Sequence, residues 1–282
     1  MFNSLKIFLI GFFFYLVVFF NSTYSAQQVT GEVGVKTTLR ICADPSNLPY
    51  SSQNNEGYEN KIADLFAKKL GNIPVIYSWY PMTSGFVRRT LDAKTCDLIV
   101  TFPAIHEFVQ NSNPFYNSSY VFMSLEERNI NIKTLSDPEI KEKKYKIGII
   151  HATPPTSYIA KYKLFEQVKF YRQAADPRKQ KPWVDATNDL VGGKIDVAIL
   201  WGPLAGYEAK KAKKPIIIVP LTKEETVSRG KLVYRFTMGI RRNEPEWEKT
   251  INNLIKDNQE EINEILRGYG IPLLDNLGNP LK

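Results

Sequence analysis

The sequence predicts an α/β protein of two similar lobes, each a mostly parallel sheet flanked by helices. Three observations carry this. Short apolar runs alternate with stretches of helical spacing from residue 38 to residue 102. The same alternation restarts at residue 144 and runs to residue 200. The two halves also share an echo, LDAKTCD at 91–97 and LVGGKID at 190–196. Each echo segment ends a helix, turns, and enters an apolar strand through Asp. Strands and helices alternating at this spacing build parallel sheets with crossover helices.

Taken in order, residues 38–43 form an apolar strand that runs into Asp44-Pro45. Residues 60–70 place Ile62, Leu65, Phe66 and Leu70 on one helical face, and Gly71 is the stop. Residues 74–80 are β-branched and aromatic, hence a strand. A helix over 84–93 follows, with Thr83 or Ser84 as its N-cap. The strand 97–102 ends at Pro103. In the second half, strands fall at 144–150, 168–171 and 196–200, with helices around 157–164 and 185–192. The chain closes with strands at 216–220 and 234–240 and a long amphipathic stretch, 245–269, of one or two helices stopped by Gly270. Such a tail suggests a return to the first lobe. Lobe 1 is then 36–123 plus 222–282, and lobe 2 is 124–221.

The chain has 282 residues, of which 43% are hydrophobic and 23% charged, which excludes disorder, collagen and a coiled-coil rod. A mean hydropathy of -0.27 excludes a polytopic membrane protein. Residues 1–25 hold one charge, Lys6, then an apolar run over 7–20, with small Thr23 and Ser25 before Ala26. This reads as a cleaved signal peptide. The run is shorter than the roughly 20 residues that span a bilayer, so no stable membrane insertion is expected. No Cys follows the cleavage site, which argues against a lipid anchor. An exported, periplasmic protein has no call on nucleic acid, despite a net charge of +8. Two Cys and two His make a zinc site and a disulfide-dense scaffold poor readings. Outside the cytoplasm the pair Cys42 and Cys96 favours a disulfide, closing a loop of about 50 residues worth roughly 4 kcal/mol. Two small buried thiols in strands are the alternative.

At this point the sequence resembles a family. The closing stretch MGIRR at 238–242, Trp247 with INNLI at 251–255, and ILRGYGIP at 265–272 is similar to the C-terminal signature of type II periplasmic solute-binding proteins, the family 3 extracellular solute-binding proteins. A narrower likeness is carried by LRICADPSNLPY at 39–50, GYENKI at 57–62, GFVR at 85–88, Cys96-Asp97, SSYVF at 118–122, IDVAILWGPLAGY at 195–207 and GIPLLD at 270–275. Together these resemble the quinoprotein-dehydrogenase-associated substrate-binding-like group, the MoxJ/XoxJ-type proteins of methanol oxidation. The resemblance implies a two-lobed type II periplasmic-binding-protein fold with two crossing hinge segments. It also implies a role beside a PQQ-dependent alcohol dehydrogenase and its cytochrome c, by binding a small ligand or by helping the dehydrogenase mature. It implies no cofactor of the chain's own.

In open α/β sheets ligands sit beyond the carboxyl ends of the strands. That rule singles out Asp44, Asn47 and Tyr50 after the first strand, and Thr101, Phe102, Pro103 and Ala104 at the third. It adds His151, Thr153 and Thr156 after the strand at 144–150, and Trp201, Gly202 and Tyr207 after the strand at 196–200. The resembling motifs contribute Tyr58, Phe86, Arg88 and Tyr120, and Glu107 lies just beyond the third strand. Singly, each aromatic residue is explained by core or hinge packing. As a set at strand ends they wall a small-ligand pocket.

Two departures from the parent family bear on that ligand. Amino-acid-binding members hold the carboxylate with an Arg after the third strand, but no Arg occurs between Arg89 and Arg128, and the matching position is Phe108. The family's ammonium-binding Asp is replaced by Trp201. An amino acid would bury both its charges unpaired, which is costly. A solute receptor of an ABC importer for another small ligand remains an alternative. So does a lyase using Glu59, Glu107, His106 or His151, although the chain lacks a Gly-x-Ser-x-Gly elbow, metal-ligand spacing and a Gly-rich phosphate loop. The Lys-dense stretch 210–214 could dock an acidic partner or anionic lipid, or simply be a solvated helix end.

Overall fold

The structure, a computed structural model, describes residues 36–104, 107–173, 179–225 and 227–281. The export segment 1–25 lies outside the described residues, as does His106. The strands are β1 (Leu39–Ala43), β2 (Ser46–Asn47), β3 (Ser51–Ser52), β4 (Val75–Trp79), β5 (Leu98–Pro103), β6 (Gln110–Asn111), β7 (Tyr116–Leu125), β8 (Ile147–Ile150), β9 (Val168–Tyr171), β10 (Val197–Trp201), β11 (Ile216–Pro220) and β12 (Val233–Ile240). The helices are α1 (Tyr58–Lys69), α2 (Phe86–Arg89), α3 (Pro138–Glu142), α4 (Thr156–Tyr162), α5 (Pro182–Val191), α6 (Gly202–Lys211), α7 (Pro245–Asp257) and α8 (Gln259–Gly268).

The main sheet runs β4-β1-β5-β12-β7-β10-β8-β9, with β11 added on β7 and β6 on β12. β1 pairs in parallel with β4 and β5, and β8 pairs in parallel with β10 and β9. β7 joins these two parallel groups. Its first residues, Tyr116–Ser119 in register, run antiparallel to Phe236–Val233 of β12. From Tyr120 onward it pairs instead with β10 and β11, Tyr120 facing Trp201 and Leu125 facing Ile216.

Each parallel group has a core on both faces, as strands of alternating side-chain direction require. On one face of the first group Leu39, Ile41, Leu98 and Val100 pack with α1, α7 and α8. On the other, Cys42, Ile99, Phe86 and Leu91 form a smaller core that contains the Cys42–Cys96 disulfide. The second group packs Ile147, Ile149, Val197 and Ile199 on α3 and α4, and Ala198 and Leu200 on α5 and α6. β7 serves both: Phe122 points into one core, and Val121 and Met123 into the other.

Two expectations need correction. The helix expected over 84–93 is a single turn, Phe86–Arg89. Gly85, at φ +88°, precedes it in place of a Thr83 or Ser84 cap, and Thr90 leaves helical geometry while its Oγ1 donates to the Phe86 carbonyl. The loop expected after Leu200 is instead a strand end at Trp201 followed at once by α6, where Pro203 fills an early position that needs no backbone N–H.

Candidate functional site

The strand ends do bring aromatic side chains together, at the place where the two parallel groups meet. Trp201 closes β10, and its Nε1 donates to the Tyr50 hydroxyl at 2.8 Å. Tyr50 comes from the turn between β2 and β3, so this bond ties the first group to the second. Around Trp201 stand Tyr120 at 5.4 Å, Tyr234 at 5.5 Å and Phe236 at 5.7 Å between ring centroids. Beneath Tyr50 lies Tyr58 at 5.3 Å, which contacts Tyr116 and Tyr269 edge-on. The hydroxyls of Thr101, Tyr58 and Tyr116 form a buried chain, each step 3.1 Å. Burial pushes the Tyr50, Tyr58 and Tyr116 phenols well up, so they remain neutral hydrogen-bonding groups.

The loop that carries Tyr50 is held by Asp44. Its two carboxylate oxygens accept from the Ser46 amide at 2.8 Å and the Met82 amide at 2.6 Å. Ser51 Oγ donates to the Asp44 carbonyl at 2.9 Å, and Asn47 receives the Tyr50 amide on its own carbonyl. Asp44 is 2% exposed and positions the loop rather than presenting charge to a cleft. Glu59, next to Tyr58 on α1, is also 2% exposed, with Oε1 left without a partner. Burial raises its pKa to about 7, against the pull of the Thr101 and Ser51 hydroxyls.

A second feature opens beside α2. Met82, Phe86, Val87, Phe102 and Phe108 form the apolar part of a cavity of about 550 Å³, with Arg88 and Asp92 among its polar lining. Its floor is continuous with the core around the disulfide, where Cys42 and Cys96 are joined at 2.01 Å. Phe108, at the position expected to hold a carboxylate-binding Arg, is 61% exposed on this cavity.

The remaining expected residues are spread out. Pro103 and Glu107 are exposed, and Ala104 donates its amide to the Arg235 carbonyl. His151 is exposed and meets Phe170 of β9 edge-on at 5.7 Å. Thr153 Oγ1 donates back to the Ile150 carbonyl at 2.6 Å, while Thr156 Oγ1 is buried without a partner. Tyr207 sits on α6 and stacks on Tyr269 at 6.3 Å. Among the described residues no group of three or more His, Cys, Asp or Glu could hold a metal ion.

Tyr116, Tyr234, Phe236 and Tyr269 belong to the aromatic junction but were not singled out from the sequence. Tyr234 and Phe236 alternate on β12, so both face Trp201; that period of two was the available signal. A further tie had no sequence signal. α6 lies so close to the segment after α8 that a Cβ on Gly206 would overlap the Gly270 carbonyl, and Lys210 Nζ donates to the Gly268 carbonyl at 2.6 Å.

Residues 39–271 match the family described as bacterial extracellular solute-binding proteins, family 3. The crystal structure of the periplasmic binding protein XoxJ from Methylobacterium extorquens AM1 is similar with a TM-score of 0.69 and 36% identity, over 84% of this chain and 100% of that one. MxaJ from Methlophaga aminisulfidivorans MPT superposes with a TM-score of 0.71 at 23% identity, over 84% and 100% of the two chains. Protein MoxJ of Methylorubrum extorquens is 26% identical over 248 residues, 84% of this chain and 82% of its own. With XoxJ and MxaJ the chain shares the two-lobed type II periplasmic-binding-protein fold. The span of the family match and the identity to XoxJ lead to one conclusion: the chain belongs to the bacterial extracellular solute-binding proteins, family 3.

Proposed function

We propose that the protein is a non-catalytic periplasmic accessory of a PQQ-dependent methanol or alcohol dehydrogenase system, assisting the maturation or activity of the dehydrogenase. The observation that carries this reading is the Trp201 junction. Trp201 replaces the charged residue that the parent family uses, and it is bonded to Tyr50 and packed by Tyr120, Tyr234 and Phe236. The side chains around Trp201, namely Tyr50, Tyr120, Tyr234 and Phe236, carry no charge to pair with the ammonium and carboxylate of an amino acid. The motifs of the dehydrogenase-associated group and the likeness to XoxJ and MoxJ support the same reading. In this proposal the signal peptide 1–25 is removed, and the lobes divide as 36–123 with 222–282 and 124–221.

A deletion strain tests it. Dye-linked dehydrogenase activity falls while the dehydrogenase transcript stays normal, and the gene supplied in trans restores it. Unchanged activity in the deletion strain would overturn the proposal. The 550 Å³ cavity lined by Phe86, Phe102 and Arg88 favours a second reading, a receptor for a small non-amino-acid solute. A ligand-induced rise in melting temperature, lost in Phe86→Ser, would support that reading instead.

A further inference from the structure

Nearly all of the net charge falls in one part of the chain. Residues 124–221 carry 18 Lys and Arg against 11 Asp and Glu, whereas 36–123 with 222–282 carry 18 against 17. Within the charged part, β9 is the terminal strand of the main sheet, and among the described residues it pairs with β8 alone. A terminal strand offers a row of backbone N–H and C=O groups to another chain.

Natural edges are blunted by charge, and Lys169 of β9 would do that if it stood free. It is instead drawn to Asp189 at 2.5 Å. Beside it Phe170 is 37% exposed, and Phe165, just before the strand, is 54% exposed. Their rings lie 6.4 Å apart, and exposed His151 continues the row at 5.7 Å from Phe170. The result is an aromatic row that starts before the terminal strand at Phe165, crosses it at Phe170 and ends at His151 beside the end of β8, with no strand paired to the outer side of β9 among the described residues. Exposed Lys163 precedes it, Arg172 follows it, and Lys181 stands at the start of α5, which packs on β9. None of these three forms an ion pair among the described residues.

We propose that the outer edge of β9 and the Phe165–Phe170–His151 stripe form a docking surface for an acidic, extended segment of a partner protein. The segment adds a strand through backbone hydrogen bonds, seats apolar side chains on the stripe, and pairs carboxylates with Lys163, Arg172 and Lys181. A polypeptide satisfies the strand edge and a lipid headgroup does not, which favours a protein over an anionic membrane. A second copy of this chain would bring like charge to like charge. The surface is separate from the Trp201 junction and does not depend on the function proposed above.

The test uses the mature chain and four probes: an acidic octapeptide alternating Glu with Val or Phe, its counterpart with Lys for Glu, an acidic version with Pro at alternate positions, and phosphatidylglycerol vesicles. The acidic strand-forming peptide binds, slows amide exchange over Val168–Tyr171, and weakens by roughly tenfold or more at high salt. Phe165→Ser with Phe170→Ser, or Lys163→Glu with Arg172→Glu, reduces its affinity by roughly tenfold, and the charge-reversal pair does so with the melting temperature retained, because Lys163 and Arg172 are exposed. The Lys and Pro peptides do not bind. No slowing of exchange in β9, equal binding of the Lys peptide, or binding of the vesicles in place of the peptide would each overturn the proposal.

Discussion

The carboxyl of Glu59 is buried beside Thr101 and Ser51 with its Oε1 unpartnered, and its pKa rises to about 7. The folded chain therefore holds a proton that the unfolded chain has released. Stability contributed by that proton is present below the ordinary carboxyl pKa and drains away as pH rises toward 7. Melting temperature should fall over this interval, and Glu59→Gln should remove Glu59's share of the slope and be the more stable protein above it; thermal scans across the range check both. Asp97 has the opposite character. Burial alone would raise its carboxyl, but Arg40 at 2.6 and 2.8 Å, Arg241 at 2.6 Å and Lys36 at 3.4 Å prevail and hold it at about 2. Its contribution is present above the unfolded carboxyl pKa and is lost as pH falls through about 2. Asp97→Asn removes the carboxylate that Arg40, Arg241 and Lys36 share, leaving Glu244 on Arg241 and solvent on half-exposed Arg40, and should cost about 2–3 kcal/mol in urea unfolding. A cost below about 1 kcal/mol would mean that Glu244, bonded to Arg241, carries the pairing. The sequence marked Asp97 as a strand entrance, but its partners lie 57 and 144 residues away, beyond any local pattern.

The elements that sequence periodicity located well are those whose burial is apolar. β1, β5, β10 and the α7–α8 pair fall within a few residues of expectation because Leu, Ile, Val and Phe mark their inner faces. β7 escaped notice because its first half buries polar residues. Asn117, Ser118 and Ser119 are all buried there, and Ser118 Oγ donates to the Pro272 carbonyl at 2.7 Å. Hydrogen bonds to a segment 154 residues away replaced the hydrophobic pattern. α6 was expected only at its end, Lys210–Lys214, because Trp201, Gly202 and Tyr207 were placed beyond the strand as site residues; the structure has helix from Gly202, with Gly202 and Gly206 on it. They are small because backbone passes close by, Ser119 at one and Gly270 at the other. Gly206→Ala should therefore push α6 away from residues 268–271 and cost about 1–3 kcal/mol, read as a lowered melting temperature. Retention of wild-type stability would show that the Gly270 loop yields. Of the candidate site, Tyr50 and Trp201 were legible from the rule that ligand sites lie beyond strand ends, and Tyr58 and Tyr120 only through the resembling motifs, since one opens a helix and the other lies inside antiparallel β7. The cavity beside α2 was only partly so, since Phe86, Arg88 and Phe102 were singled out but Met82, Asp92 and its depth were not.

At the scale of the whole molecule, the two lobes differ in charge while sharing architecture. The echo of a helix, a turn and an Asp that enters a strand recurs at Asp97 and Asp196, each pairing with an Arg. Yet nearly all of the net positive charge falls within 124–221. The two halves are joined across the middle by the Trp201–Tyr50 bond, by the Gly206–Gly270 approach and by β7. β7 has a further consequence. One ten-residue strand begins in the sheet on one side, at Tyr116–Ser119, and ends in the sheet on the other, from Tyr120 to Leu125. Pulling either lobe apart strips hydrogen bonds and core side chains from the other. Calorimetry should therefore show one heat-absorption peak whose van't Hoff and calorimetric enthalpies agree. Two resolved peaks would mean that each lobe melts alone. In thermodynamic terms the molecule has two architectural halves and a single cooperative unit.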